Sequence, residues 1–523
     1  MGNEVTYDNA SSAELISPKE SSDGPQAIEG ADTHDIGCHS NSTQLSALSN
    51  NKNAEILKKY EKDYPVGPHD KPQSMCPAFG SLRVGLRMKR VATVLSGSAC
   101  CVYGLSFVSH FYGARRSVGY VPFNSESLVT GKLFEDIRDA VHDMADPKNY
   151  DAIVVTNLCV PTASGVPLRL LPNEINGVRI IGIDVPGFGV PTHAEAKDIL
   201  AGAMLNFARQ EVEAGPVAAP SSGKSDRPTL AMLGEMFPAD PMVIGSILAP
   251  MDLAAGPVLP AREWREMYAA LDSSAVAAIH PFYTATMREF DAAGRPSIGS
   301  APVGYEGTAS WLESVGEVFG VSKAKVSKAK NAVLPNIKKS IKDNKIKGRI
   351  TVSGYEGSEL IVARLLSESG IDVPYVGTAC PRTPMAEQDA EWLEAKGAVV
   401  KFRASLEDDI SAAEALEPDL AIGTTPLVQH FKQKGKSALY FTNLVSARPL
   451  MGQAGVGSFN QLINGVLNNS EKMQSLQNFF EGVGSDDTSG VWEGEPNLRP
   501  EFRAQNQKKL EKAARAAKAA EMI

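Results

Sequence analysis

The chain has 523 residues, 43% hydrophobic and 22% charged, with a formal net charge of −9 at pH 7. That length exceeds one ordinary core and calls for two to four domains of soluble globular composition. The acidic balance excludes a general nucleic-acid binder, which needs a basic excess to neutralise phosphates, and six cysteines are too few for a disulfide scaffold in a chain this long. No run of 18 apolar residues and no apolar region after Met1 is present, so a soluble cytoplasmic protein with reduced thiols is expected.

Residues 1–70 are rich in Ser, Asn, Asp, Glu and Gly and read as a mostly disordered extension, with one helix near 46–60. Gly2 and Thr6 match a myristoylation pattern only superficially. Cys38, between His34 and His39, lies in this polar tract without the scaffolding a metal site needs, and stays unassigned. From Arg90 the pattern changes. Apolar strands are predicted over 90–95, 117–121, 151–156 and 178–184, with helices over 132–144 and 192–209. Thr192 is the expected cap of the second helix, with Glu195 completing a capping box. Strands separated by helices at this spacing make βαβ units, giving a first Rossmann-like domain over 71–212.

Residues 213–228 form a Pro/Ala/Ser/Gly linker. Its Gly223-Lys224-Ser225 imitates the end of a P-loop, but Ala218 stands where the first glycine belongs. The strand also follows the motif instead of preceding it, so no helix N-terminus is set up to cradle phosphate, and this chain is not expected to hydrolyse ATP. A second Rossmann-like domain over 229–325 has apolar segments at 229–234, 242–249 and 276–279 and helices over 261–271, 283–292 and 307–319. A third, over 326–470, opens with a lysine-rich helix at 326–345. Its strands are predicted over 349–353, 373–377, 398–403, 420–423 and 437–441, its helices over 357–369, 384–396 and 406–416. Residues 471–523 are a helical tail, alanine- and lysine-rich over 508–520. The fold class is therefore α/β, with three Rossmann-like domains built on parallel sheets.

Three cysteines stand out. Cys76 lies in Ser74-Met75-Cys76-Pro77-Ala78, Cys101 just past the apolar run at 91–95, and Cys159 just past that at 152–158. Intervals of 25 and 58 residues are too long for a zinc knuckle or a CxxC pair. Two of the three sit where a strand hands over to a loop, and those ends converge on one crevice in open parallel sheets. Three thiolates there would supply most of the usual four ligands of an iron–sulfur cluster; a buried, apolar role for each is the bland alternative. Physics alone does not choose between Cys100 and Cys101.

The stretches at 73–83, 96–104, 131–137 and 157–165 resemble the nitrogenase-like reductases, closest to the Y-subunit family of chlorophyllide a reductases, and the likeness runs from about Pro72 to about Asn468. The resemblance implies that Cys76, Cys101 and Cys159 bind a 4Fe–4S cluster shared with a homologous Z subunit, in a heterodimer or heterotetramer, and it favours Cys101 over Cys100. It further implies a separate ATP-dependent iron–sulfur reductase that docks transiently, and electron relay to a chlorophyllide whose C7=C8 bond is reduced. A subunit of dark-operative protochlorophyllide reductase and a scaffold for assembling nitrogenase-type cofactors are the alternatives.

Outside that set, His280 follows an apolar run and is the one weak candidate for a proton donor, against a histidine simply hydrogen-bonded in a loop. Gly354-Tyr355-Glu356-Gly357 lacks GxGxxG and reads as a tight strand-to-helix turn. Glu306 is expected to cap the helix that follows it, and Cys380 to be a strand-end residue without a ligand role.

Overall fold

The computed structural model describes residues 51–63, 76–111, 118–217, 226–234, 240–446 and 448–471, with positions 508, 511 and 512. Cys38, the Gly223-Lys224-Ser225 segment and nearly all of the C-terminal tail lie outside the described residues.

Three sheets organise the chain. The first holds β1 (Val91–Ser96), β2 (Val118–Val121), β3 (Ala152–Asn157), β4 (Glu174–Ile175) and β5 (Val178–Asp184) in the order β2-β1-β3-β5-β4. The second holds β6 (Thr229–Leu233), β7 (Ala254–Leu259), β8 (Ala275–Ala278) and β9 (Ser297–Ile298) in the order β7-β6-β8-β9. The third holds β10 (Ile350–Gly354), β11 (Tyr375–Thr378), β12 (Val399–Phe402), β13 (Leu420–Gly423) and β14 (Ala438–Tyr440) in the order β12-β11-β10-β13-β14. Every described pairing is parallel except β4 with β5.

In each sheet the first strand has its successor on one side and a later strand on the other. The switch points therefore fall between β1 and β3, β6 and β8, and β10 and β13. Chain leaving the carboxyl ends of those strands meets in crevices, which is where open α/β sheets place their chemistry.

Parallel strands are buried on both faces, so successive side chains must serve different cores. In the middle sheet Leu230, Met232, Ala275 and Ala277 join a core that runs on into the third sheet. Their neighbours Ala231, Leu233, Val276 and Ala278 join one that runs back to β1, β3 and the helix Pro77–Arg87. The middle sheet is thus held between the other two.

The structure adds elements that the pattern did not signal. The strand β7 contains Gly256 and Pro257, both strand-breaking signals. It tolerates proline because it is an edge strand, and a Cβ on Gly256 would lie 2.9 Å from the Leu230 carbonyl oxygen. The helix expected in the N-terminal extension is present as Lys52–Asp63. It packs Ala54 and Leu57 against Tyr375, Val399, Ala412 and Leu416. The Asn53 amide donates to the Gly397 carbonyl at 2.6 Å and the Tyr60 hydroxyl to Glu414 at 2.7 Å. Among the described residues no helix is long and apolar enough to cross a membrane.

Candidate functional site: three thiols at helix N-termini

Each of the three cysteines begins a helix. Cys76 is the N-cap of Pro77–Arg87, a helix started by proline, whose missing N–H costs nothing at that position. Cys101 lies in the first turn of Ala99–Phe111, immediately after β1. Cys159 opens the short helix Cys159–Ala163 after β3. The strands β1 and β3 pair directly, Ser96 opposite Asn157, and the Leu158 N–H donates to the Ser96 carbonyl at 2.8 Å, so Cys101 and Cys159 leave the same switch point. The sequence placed Cys101 and Cys159 at strand ends but did not signal the helices Pro77–Arg87, Ala99–Phe111 and Cys159–Ala163.

The sulfurs sit among donors. The Gly187 N–H donates to Cys159 Sγ at 3.1 Å, and the Ser98 hydroxyl to Cys101 Sγ at 3.3 Å. Cys100 Sγ lies 3.3 Å from the same hydroxyl, so Ser98 serves both members of the pair. Burial pushes the Cys76 thiol pKa up and its Cys159 and Cys101 neighbours add to that, while the Ala78 and Phe79 N–H groups pull it down. Cys101 and Cys159 thus both bear electrostatically on the Cys76 thiol. Among the described residues no group of three or more His, Cys, Asp or Glu could hold a single metal ion. A four-iron cluster makes a different demand, since its thiolates bind separate irons. Soft donors, hydrogen bonds to sulfur and helix N-termini that favour negative charge all fit such a cluster.

Around these thiols the surface is apolar. Tyr103, Phe107 and Phe188 expose 76%, 63% and 65% of their surface, and Val160 is also exposed. Tyr103 and Phe107 are one helical turn apart beyond Cys101, Val160 follows Cys159, and Phe188 follows the Gly187 that binds Cys159. Exposed aromatics grouped in this way mark an interaction surface. The i, i+4 spacing of Tyr103 and Phe107 was the available sequence signal.

The other candidates are placed differently. Cys380 is buried, its thiol pKa raised well above the usual range by burial, as suits a residue with no ligand role. His280 follows β8 and is also buried; its backbone N–H donates to the Leu233 carbonyl at 3.0 Å, and its ring stacks on Phe282 with centroids 5.6 Å apart. Glu306 is not the cap of its helix. Glu368, from the helix Glu359–Glu368, accepts the Glu306 and Gly307 N–H groups at 2.7 and 2.9 Å, and Glu306 instead accepts the Trp392 indole N–H at 3.0 Å. A carboxylate from a neighbouring helix has displaced the local cap. Thr192 does cap His193–Ala214, accepting the Glu195 N–H at 3.1 Å, while the Glu195 carboxylate is taken up by Arg403 at 2.7 Å.

The helix with Cys76 crosses His193–Ala214 at Gly80, where a Cβ would lie 1.8 Å from the His193 carbonyl oxygen. Below that crossing is a buried polar seam that the sequence did not reveal. Glu356, in the turn after β10, lies 3.4 Å from His193 Nε2, 3.3 Å from Lys197 Nζ and 3.8 Å from Arg83 Nη1. Thr442 donates to its other oxygen at 3.2 Å. Against burial, Lys197, then His193 and Arg83, hold the Glu356 carboxyl well below the usual carboxylate range, and burial with Lys197 drives the His193 pKa down. The turn read from sequence as bland strand-to-helix geometry thus carries the charge that joins the third sheet to the first.

The profile of the family described as nitrogenase component 1 type oxidoreductase matches residues 76–468. The chain is 71% identical to the chlorophyllide reductase 52.5 kDa chain of Cereibacter sphaeroides, over 93% of this chain and 97% of that one. It is 68% identical to the chain of the same description from Rhodobacter capsulatus, over 93% of this chain and 98% of that one. Among solved structures, nitrogenase Cp1 at pH 6.5 superposes with a TM-score of 0.62 at 13% identity, covering 80% of this chain and 98% of that one, a likeness of fold. The three doubly wound sheets, Cys101 and Cys159 at the first switch point and these matches together make the chain a member of the nitrogenase component 1 type oxidoreductases, grouped with the chlorophyllide reductase 52.5 kDa chains.

Proposed function

We propose that this chain is the Y-type subunit of the catalytic component of a chlorophyllide a reductase, acting in the cytoplasm. In this reading Cys76, Cys101 and Cys159 hold three irons of a 4Fe–4S cluster, and a residue of a homologous Z subunit supplies the fourth ligand. The observation that carries it is the emergence of Cys101 and Cys159 from one switch point, both bearing on the Cys76 thiol, beside an exposed aromatic surface, in a chain 71% identical to a chlorophyllide reductase chain.

When bound, the cluster supplies low-potential single electrons, received from a separate ATP-dependent reductase. The chain's own residues do the rest. The Gly187 N–H and the Ser98 hydroxyl donate to the Cys159 and Cys101 sulfurs and fix their orientation. Helix N-termini at Cys76 and Cys159 offset the negative charge of the thiolates. Tyr103, Phe107, Val160 and Phe188, once covered by the partner subunit, keep water from the site and raise the strength of every interaction in it. The substrate is a chlorophyllide whose C7=C8 bond gains two electrons and two protons.

Anaerobic co-expression with the partner subunit tests this reading. The complex, given the reductase and ATP, is expected to convert chlorophyllide a to a product reduced at C7=C8, and the chain expressed alone to hold little or labile iron. Reduction of protochlorophyllide instead, or release of a cluster to another protein without pigment turnover, would overturn it.

A further inference from the structure

The helix Lys323–Asp343 is 21 residues long, about 30 Å. Its apolar stripe, with Ala329, Leu334 and Ile337, is spent on the core that joins the second and third sheets. The Cys76 helix and the segments after β1 and β3 belong to the core on the other face of the middle sheet, so the helix and the thiols lie on opposite sides of it. What the helix leaves to solvent is lysine. Between 323 and 347 the chain has nine lysines and one acid, Asp343, in a protein of formal net charge −9. Among the described residues two of the nine are paired: Lys325 lies 2.8 Å from Asp252, and Lys330 meets Glu313. Lys338 stands 5.9 Å from the centre of the Tyr305 ring. Lys323, Lys328, Lys339, Lys342, Lys345 and Lys347 are exposed and have no ion-pair partner among the described residues. Spacings of 11 and 3 residues put Lys328, Lys339 and Lys342 on one side of the helix, since both are close to whole turns.

We propose that this lysine face is a docking surface for an anionic lipid bilayer, held by charge alone. The chemistry of the face selects the partner. A surface of acidic headgroups binds roughly four to eight basic side chains presented on one helix, each lysine adding its own attraction. A nucleic acid or a protein partner is gripped by arginine forks and aromatic anchors. The exposed residues between these lysines, Ser327, Asn331, Ala332 and Pro335, offer neither. With its apolar stripe already buried in the protein, the helix has nothing to insert among acyl chains, so docking reverses with salt. The acidic remainder of the chain is screened beyond a Debye length of about 8–10 Å, whereas lysines that touch the headgroups stand within it. The thiol face stays free for the partner subunit, because the middle sheet separates the two. Docking does not depend on the proposed reduction. Its use does: an apolar macrocycle partitions into lipid, and an enzyme held at the bilayer meets its substrate there.

The test is flotation of the anaerobic complex of the full chain with its partner subunit, on vesicles of phosphatidylcholine alone or with about one-third phosphatidylglycerol. The complex is expected to float with the anionic vesicles, to remain behind with phosphatidylcholine, and to be released in about 0.5 M salt. The triple variant Lys328→Gln, Lys339→Gln, Lys342→Gln should bind the anionic vesicles at least about tenfold more weakly. It should keep wild-type melting and assembly, since none of the three has an ion-pair partner among the described residues. Lys345→Gln with Lys347→Gln, beyond the end of the helix, is a second variant that should weaken binding in the same direction and serves if the triple variant fails to fold. No binding to the anionic vesicles, equal binding to phosphatidylcholine, binding that survives salt, or variants that float like the wild type would overturn the proposal. Tighter binding to duplex DNA or to polyglutamate than to the anionic vesicles would give the face to a nucleic acid or an acidic protein, and would overturn it as well.

Discussion

Replacing Gly80 by alanine sets two opposed effects against each other. In a helix interior alanine is favoured over glycine by roughly 1 kcal/mol. At Gly80, however, the added methyl would meet the His193 carbonyl oxygen at 1.8 Å and its carbon at 2.7 Å, both backbone atoms with no rotamer to yield. Ordinary contact begins near 3.4 Å, so the two helices would have to part by about 1.5 Å. Overpacking of this kind costs about 1–3 kcal/mol. A 1.8 Å approach to backbone lies at the severe end of that range, so the clash wins and Gly80→Ala should lower stability by up to about 2 kcal/mol net. The strain falls one turn from Cys76, so cluster retention should suffer with it. Gly465, an exposed glycine in the helix Gly452–Leu467 with nothing within 4 Å of an added Cβ, is the control. Its alanine variant should match or exceed wild-type stability, since only the propensity remains. Thermal unfolding and iron retention of the two variants, side by side in the complex, decide the matter. Gly80→Ala melting with Gly465→Ala and holding full iron would refute the claim that this crossing fixes the Cys76 helix.

Arg364 is 2% exposed and lies 2.6 Å from Asp389 and 3.2 Å from Glu368; Arg364→Met should cost about 3–5 kcal/mol by leaving two buried carboxyl groups without their cation, seen as a large fall in melting temperature. Glu359 has its folded pKa raised to about 7, so its favourable contribution is full below its unfolded value and lost as pH rises through 7. Glu359→Gln should therefore gain up to about 3 kcal/mol on the wild type between pH 5 and pH 8, read as a shift in urea midpoint at each pH; equal midpoint differences at both would contradict this. If Gly223-Lys224-Ser225 is a linker, as its sequence suggests, Lys224→Ala should leave ATP turnover by the full system unchanged; hydrolysis by the catalytic subunits alone that disappears in this variant would overturn that view.

The sheets were legible because a strand buried on both faces must be a short apolar run, and β3 at Ala152–Asn157 and β13 at Leu420–Gly423 are such runs. The edge strand β7 was not, since its glycine and proline answer to a neighbouring backbone and an open edge, which only the folded sheet supplies. At the site, strand ends located Cys101 and Cys159, while the helix capped by Cys76 follows no strand that the sequence pattern signals. The Glu356 seam was illegible for a stronger reason. His193, Lys197, Arg83 and Glu356 come from distant parts of the chain, and no local pattern records that a charge will find its partner across a domain boundary. Glu368 in place of Glu306 as a helix cap is the same lesson on a smaller scale.

The central claim is that Cys76, Cys101 and Cys159 are the chain's ligands to one shared cluster. Iron and acid-labile sulfide in the anaerobically purified complex, measured for single cysteine-to-serine variants, test it most directly. Cys76→Ser, Cys101→Ser and Cys159→Ser should each lose most of the iron, with Cys38→Ser and Cys380→Ser close to wild type. Full iron in Cys159→Ser would contradict the assignment, and loss in Cys100→Ser but not in Cys101→Ser would move the ligand by one residue.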